Sequence, residues 1–517
     1  MVMSGVWWRS GGEEEVESVR VWVNGTAAVA QVDDAFICAT LDWWPPDKCD
    51  YGTCSWGHAS LLNLNLSSPL LQNAIKAFSP LRIRLGGTLQ DKVVYHVGKK
   101  AEPCPPFYRD TSALFGFSGG CLPMWRWNQL NAFFCSVRCQ VAFGLNALFG
   151  RTKSKRAWDP TNALDFIQYT HDKGYNISAW EFGNELSGSG VGTNVPAEQY
   201  AEDVKQLCKI VRQVYADEPS FPLVVAPDGF FDKTWTLKFL ESLGDEHCVR
   251  IVSHHIYNLG PVPFTSRVFL KVGTKGDGNQ SGVDKNLTAK ILDPSYLDRE
   301  GATFGALRSV LQDYGPWANS WVGEAGGAYN SGHHLVTDAF LMSFWYLDQL
   351  GMSATYGTKS YCRQSLIGGN YGLLNTTTFA PNPDYYSALL WHRLMGAKVL
   401  QVKVSGTAFL RAYAHCAKGS AGATLLLLNL HNQTTYSIDL SIPSSPLIEA
   451  RLEYHLTAKN DNLESQTVLL NGVPLEVSDE GGIPPLFPQL VMDDVPLLIK
   501  PLSIAFVSLP IELQTCS

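Results

Sequence analysis

Eight short β-rich runs, most of them followed by a helical pattern, constrain this chain more than any other feature. They are Ala35–Trp43, Leu81–Gly87, Gln140–Leu148, Ser178–Glu185, Leu223–Gly229, Val249–Tyr257, Ser320–Gly327 and Tyr361–Tyr371. Their centres are nearly continuous apolar residues, as expected for strands buried on both faces of a parallel sheet. Alternation of such strands with helices leaves a barrel or a doubly wound sheet. The absence of a GxGxxG or Walker loop disfavours the nucleotide-binding version. The runs end in polar residues: Asp42, Thr88, Asn146, Glu185, Asp228, His255, Glu324 and Tyr371. Polar groups collected at strand C-termini are where an eight-fold βα barrel builds its site.

The segments between the runs read as helices. Asp159-Pro160, then Leu164, Phe166 and Ile167, then Gly174 give an N-cap, a first-turn Pro, an apolar stripe and a C-cap. Tyr200 to Val214 forms a second stripe. Phe340–Leu350 and Tyr385–Met395 form two more, with Gly351 and Gly396 as their expected stops. Beyond Gly396 come short strands divided by Gly, Pro, Asn and Ser: Val399–Val404, Ala408–Ala414, Ala423–Leu430, Tyr436–Leu440, Arg451–Leu456, Thr467–Leu470 and Leu502–Leu509. The expected fold class is therefore α/β: a (β/α)8 TIM barrel over 35–396 and an all-β sandwich over 397–517. Residues 1–34 are an extension whose strand Ser18–Val23 is expected to pair into the sandwich.

A net charge of −8 without a Lys/Arg stripe argues against a nucleic-acid partner. The basic run Arg151 to Arg156 reads as a solvated loop rather than an anionic-polymer contact. The 12 cysteines include no CxxC pair and no Cys/His cluster, so no metal is expected. Sequons at Asn24, Asn65, Asn176, Asn279, Asn286, Asn375 and Asn432 fit a secreted, vacuolar or lysosomal glycoprotein with paired cysteines. The start, Met1 to Arg9, has too short an apolar stretch for a signal peptide before the acidic run Glu13–Glu15; this leaves a missing leader or an intracellular protein, and the sequons favour the first. No apolar run reaches membrane-spanning length; peripheral membrane association stays open.

Two carboxylates carry the chemistry. One closes Ala179-Trp-Glu-Phe-Gly-Asn-Glu185 after the fourth run; the other lies in Trp321-Val-Gly-Glu-Ala-Gly-Gly327 after the seventh. A retaining glycosidase needs one carboxyl to protonate the leaving oxygen and a second, about 5–5.5 Å away, to attack the anomeric carbon. Strands four and seven lie across a barrel mouth, so Glu185 and Glu324 can converge. Asn184 suits a donor to the sugar 2-hydroxyl.

The sequence resembles the plant heparanase-like proteins of glycoside hydrolase family 79. The resemblance runs through Cys38-Ala-Thr-Leu-Asp-Trp-Trp-Pro45, Arg84-Leu-Gly-Gly-Thr-Leu-Gln-Asp91, Phe143-Gly-Leu-Asn-Ala-Leu148, Trp180 to Gly188, Ser253-His-His-Ile-Tyr257, Trp321 to Gly332, Tyr361 to Leu373 and Asn382 to Gly396. It implies a retaining β-glucuronidase without metal or organic cofactor, with Glu185 as acid/base and Glu324 as nucleophile. It further implies that Asp42 and Thr88 contact sugar hydroxyls and that Tyr257 stands beside the nucleophile. In Tyr329-Asn330-Ser331-Gly332 it places backbone N–H groups on the uronate carboxylate, assisted by Tyr371. Animal heparanases carry Gly where this chain has Asn330 and Ser331. The segment Pro261–Ser281 has no counterpart in the family and reads as a long loop on the catalytic side.

The substrate expected is a glycan or small-molecule glucuronide bearing β-linked glucuronic acid. Competing readings are an endo-acting, heparanase-type enzyme on proteoglycan, and a non-catalytic carbohydrate-binding protein on a hydrolase scaffold. Glu181 reads as structural. His254 and His255 read as hydrogen-bonded residues of the barrel mouth rather than ligands. Asp228 touches substrate or caps the next helix, and most Trp residues pack in the core. The family implies a Cys416–Cys516 disulfide; proximity suggests Cys49–Cys54 and Cys104–Cys121, leaving Cys135 and Cys139 unassigned.

Overall fold

A computed structural model describes residues 15–97, 103–151, 156–188, 193–260, 284–443 and 449–516. The unmatched segment Pro261–Ser281 with its sequon Asn279, the N-terminal residues up to Glu14, and most of the basic run lie outside the described residues. Each of the eight runs supplies one strand of a closed parallel barrel. In order these are Ile37–Leu41, Arg82–Leu85, Gln140–Leu145, Ala179–Phe182, Leu223–Phe230, Val249–Ile256, Asn319–Ala325 and Ser360–Arg363. Neighbours in sequence are neighbours in the barrel, and the eighth strand closes on the first with Cys362 opposite Cys38. These two cysteines form a disulfide across the seam. Barrel closure makes the first and last strands adjacent, which is the signal that could have paired them.

The eighth strand is shorter than its sequence pattern. It ends at Arg363, and the left-handed residues Gly368 and Gly369 (φ 100° and 70°) turn the chain so that Tyr371 lies in the following loop. Neither of the two expected glycine stops ends its helix as a cap. The helix Phe340–Thr355 runs straight through Gly351, where a Cβ would collide with the Tyr413 ring. The helix Pro383–Leu394 passes directly into the strand Met395–Ser405, and a Cβ on Gly396 would press on the Cys416 carbonyl. Both glycines permit close packing rather than a left-handed cap. The helix Thr161–Asp172 conforms to its signals: Asp159 Oδ1 accepts the Thr161 N–H at 3.0 Å, and Gly174 is left-handed (φ 65°).

Val93–His96 and Gly120–Pro123 pair as a small parallel sheet, and the remaining strands form one long, mostly antiparallel sheet. Its N-terminal member, Val16–Gln31, pairs antiparallel with Met395–Ser405 and parallel with Thr435–Ser441, so both chain ends meet in this sheet. The strand Ala423–Asn429 reads as an unbroken leucine run because both its faces are buried. Leu425 and Leu427 join Val19, Val21 and Val507 in the sandwich core, whereas Leu426 and Leu428 pack with the barrel core. The short edge strands Val473–Pro474, Gln489–Met492 and Leu498–Ile499 lie in a Pro-rich stretch that carries no strand pattern.

The disulfides Cys49–Cys54, Cys104–Cys121 and Cys416–Cys516 form as expected, and Cys208–Cys248 is a further one with no sequence signal. Cys135 and Cys139 are free thiols.

Candidate active site

Side chains at the ends of strands four, five and seven converge on the Arg84 guanidinium of strand two. Arg84, 1 % exposed, donates to Glu181 at 2.8 Å, to Glu324 Oε2 at 2.7 Å and to Asn184 Oδ1 at 2.8 Å, and it also pairs with Asp228. Burial opposes its charge, but Asp228, Glu181 and Glu324 raise its pKa well above the ordinary value. Burying one cation among three carboxylates is tolerable because Nε, Nη1 and Nη2 are each directed at an acceptor. Glu181 is the structural anchor of that guanidinium. Burial, only partly offset by Arg84, pushes Glu181 up to about 8.

Glu185 and Glu324 stand together at the barrel mouth. One carboxylate oxygen of each, with a ring nitrogen of His255, lies within 4.8 Å of the others. Glu324 has both oxygens held: Oε2 by Arg84, and Oε1 by the Tyr257 hydroxyl at 2.5 Å. Burial, then Glu324, raises Tyr257 well above the usual phenol value, so the phenol is a donor here. Gly323 precedes Glu324 because a Cβ there would collide with Asp228 and Ser253.

Glu185 is positioned by backbone as well as side chain. Its φ is 57°, its N–H donates to the Asp228 carbonyl at 2.6 Å, and a Cβ on Gly229 would press on its Cα. Its Oε1 meets His255 Nδ1 at 2.9 Å, while His255 Nε2 meets Asp228 Oδ2 at 2.7 Å. Burial disfavours a charged imidazole, yet Asp228, Glu324 and these hydrogen bonds raise His255 well above its usual pKa. His255 is thus an imidazolium donating from both nitrogens. Burial likewise opposes the Asp228 carboxylate, but Arg84 and His255 hold it below the usual range, with Ser253 also donating to it. Asp228 neither caps the next helix nor stands free for substrate; Asp232 supplies that cap, accepting from Trp235 N–H at 2.8 Å.

Although Glu185, His255 and Glu324 are a triad of metal-ligating types, both His255 nitrogens point their protons at carboxylates. No imidazole lone pair remains for an ion, so the set does not suit a metal. His254 is turned away into the barrel wall, its ring edge-on to Phe304 and its pKa lowered to about 3 by burial.

The remaining expected residues surround this centre. Asp42 accepts from Gln364 Nε2 at 2.7 Å; burial and the charge of Glu324 push its carboxyl up to about 8. Gly87 is left-handed (φ 107°) and abuts Asp42, with half-buried Thr88 next in the same turn. Asn184, fixed through its N–H to Asp91 at 2.8 Å and through Oδ1 to Arg84, retains Nδ2 as its side-chain donor. Tyr371 is buried against Gly326, Gly332 and Gly369 and stacks edge-on with Trp56. Tyr329 lies against Gly260, next to the Tyr257 turn. Asn330, Ser331 and Gly332 are three consecutive left-handed residues (φ 55°, 69° and 70°). Among the described residues, none accepts a hydrogen bond from the N–H groups of Asn330 or Ser331. Sequence reasoning left Arg84, Asp91, Ser253 and Gln364 without roles. Arg84 had a signal, a cation two residues from Arg82 on a four-residue strand that is buried throughout; the others had none.

The comparisons agree with this architecture. Residues 18–351 match the description "Glycosyl hydrolase family 79, N-terminal domain". The chain is 50 % identical to Heparanase-like protein 3 of Arabidopsis thaliana, over 95 % of this chain and 93 % of that protein. It is 41 % identical to Baicalin-beta-D-glucuronidase of Scutellaria baicalensis, over 96 % of this chain and 93 % of that protein. In fold it resembles the GH51 arabinofuranosidase from Xanthomonas axonopodis pv. citri, with a TM-score of 0.67 at 15 % identity, covering 95 % of this chain and 99 % of that one.

Proposed function

This chain belongs to glycosyl hydrolase family 79, and on that premise we propose that it is a retaining β-glucuronidase with Glu185 as acid/base and Glu324 as nucleophile. The observation that carries the reading is the approach of one Glu185 oxygen to within 4.8 Å of one Glu324 oxygen. An approach that close suits the roughly 5–5.5 Å between the carboxyl groups of a double displacement better than the roughly 6.5–9.5 Å that admits a water in an inverting site.

The geometry gives each carboxyl its part. The Glu324 carboxylate, aimed by Arg84 and Tyr257, attacks the anomeric carbon. Because His255 donates to Glu185 Oε1, the proton for the leaving oxygen is carried on Oε2. The aglycone departs, leaving a glycosyl ester on Glu324. Glu185 then takes a proton from water, which attacks the same carbon and releases glucuronate with net retention. Asn184 Nδ2 donates to the 2-hydroxyl, while Asp42 and Thr88 take other hydroxyls. The unpartnered N–H groups of Asn330 and Ser331, in the turn from Tyr329 to Gly332, hold the uronate carboxylate with the Tyr371 hydroxyl. Backbone donors bind an anion there without a further buried cation.

A chromogenic β-glucuronide, assayed at mildly acidic pH beside the matching β-glucoside and α-arabinofuranoside, tests this reading. Glucuronide-selective turnover is expected; turnover of the arabinofuranoside alone would overturn it. The pH dependence has a defined sign. A carboxyl raised to about 8 by burial and Glu324 keeps Asp42 neutral at acid pH, and losing that proton adds charge beside Glu324. The kcat/KM for the anionic glucuronide should therefore fall as pH rises through about 8, more steeply than for the neutral glucoside. Asp42→Asn, which stays uncharged, should lose that limb; an unchanged limb would remove Asp42 as its source.

A net charge of −8 with no cationic stripe favours terminal glucuronate on glycans or small glucuronides over internal cuts in a sulfated chain. Internal cleavage of a heparan-type oligosaccharide without terminal release would refute that part. Five disulfides and the exposed sequon residues Asn65, Asn176, Asn286 and Asn432 fit passage through the secretory pathway. No helix among the described residues is long and apolar enough to cross a membrane.

A further inference from the structure

Asn330 and Ser331 occupy left-handed backbone conformations that cost little for Gly and considerably more for most other residues. Something must hold them there. A small hairpin after the first barrel strand, which only the eighth separates from the seventh, does so. Asp50 and Thr53 exchange backbone hydrogen bonds at 2.9 Å in each direction, and the turn between them, Tyr51-Gly52, has φ of 52° and 82°. These are the two positive φ values of a type I′ turn, closed outside by the Cys49–Cys54 disulfide. From this rigid hairpin, Asp50 Oδ2 accepts the Ser331 hydroxyl and the Tyr51 hydroxyl accepts Asn330 Nδ2 at 3.0 Å. Trp56 Nε1 donates to the same Ser331 oxygen at 2.9 Å. Lys48 completes the unit: its ammonium lies 2.8 Å from Asp50 Oδ1 and 4.6 Å from the Trp44 ring centroid. A negative charge beside a site for an anion is thereby paired.

We propose that the Cys49–Cys54 hairpin is a specificity-determining brace, in which Asp50 and Tyr51 hold Asn330 and Ser331 so that their N–H groups are presented to the substrate carboxylate. The inference rests on the β-glucuronidase reading and names what sets its preference for a uronate. Asp50 and Tyr51 are positioning residues: they act on substrate through the turn they hold. The side chains of Asn330 and Ser331 supply, through hydrogen bonds, the conformational restraint that their backbones lack relative to a preorganised anion site.

The test is a cycle read on two substrates. Asp50→Ala with Tyr51→Phe should raise KM for an aryl β-glucuronide by about 10-fold, two modest hydrogen bonds' worth, with kcat changed less than about 2-fold. KM for the aryl β-glucoside should not move. In an Asn330→Gly/Ser331→Gly background, where positive φ is free, the same two substitutions should change the glucuronide KM by less than about 2-fold. Equal losses on both substrates, no KM change, or the same loss in the glycine background would each overturn the brace. Tyr51→Phe alone, which keeps the ring and the fold, should give a smaller glucuronide-specific rise. If the wild-type protein turns over no β-glucuronide, the functional reading fails, and the brace is judged by hydrogen exchange at Asn370. Its N–H donates to the Ser331 carbonyl at 2.7 Å and should exchange faster in the double variant. Unchanged exchange would sink the brace independently of activity.

Discussion

Glu324→Gln is expected to lower kcat on an aryl β-glucuronide by roughly 10⁴-fold or more, because the amide cannot form the glycosyl ester on which both steps depend. The amide retains size: its oxygen can accept from Arg84, and the Tyr257 hydroxyl can turn to accept from its NH2, so substrate binding should survive. Glu185→Ala should behave differently. General acid catalysis contributes about 10²–10⁴-fold, so a glucuronide with a poor leaving group should lose that much. One with a nitrophenolate leaving group needs little protonation and should be spared in the first step, leaving the intermediate to accumulate as a burst. A Glu324→Gln variant with near-native kcat, or a Glu185→Ala variant equally slow on both leaving groups, would reject the assignment of roles.

Arg84→Met carries the largest expected effect on stability. The substitution leaves Glu181 and Asp228, both buried, without the cation they share, and strips Glu324 of one of its two donors. Breaking a buried charge network by removing one partner costs about 3–5 kcal/mol. The deficit should grow between about pH 7 and pH 9, because native Glu181, pushed up to about 8, ionises there beside Arg84 while the variant's carboxyl keeps its proton. Without the guanidinium, the folded-state values of Glu181 and Asp228 rise, and a carboxyl raised above its unfolded value loses stability as pH climbs. Arg84→Lys should recover only part, since one ammonium cannot reach Glu181, Asn184, Asp228 and Glu324 together. Denaturant unfolding at the two pH values measures this; a deficit below about 1 kcal/mol at about pH 9 would mean the cluster is not charged as described.

Much of this protein is legible in its sequence because the legible parts are local. Each barrel strand is an apolar run with a polar end, and the eight ends mark one rim. Asn184-Glu185 and Gly323-Glu324 stand out because they put carboxylates at the ends of strands four and seven, where the proposed double displacement needs them. What was not legible is relational. Asp228 looks like a loop carboxylate until its partners Arg84, Ser253 and His255 are known, 144, 25 and 27 positions away. Gly351 and Gly396 follow helical stripes as stops would, but their reason lies in Tyr413 and the Cys416 carbonyl. Tyr371 appeared to end a strand that stops eight residues earlier, because the apolar character of the run continues into a buried loop. The pairing of Cys38 with Cys362 follows from barrel closure and from nothing nearby in the chain.

The most direct measurement is the configuration of the first-formed sugar, followed by proton NMR during hydrolysis of an aryl β-glucuronide. A double displacement between Glu185 and Glu324 must release the β-anomer of glucuronate first, with the α-anomer appearing only by mutarotation. The α-anomer appearing first would show single displacement by water and contradict the account at its centre.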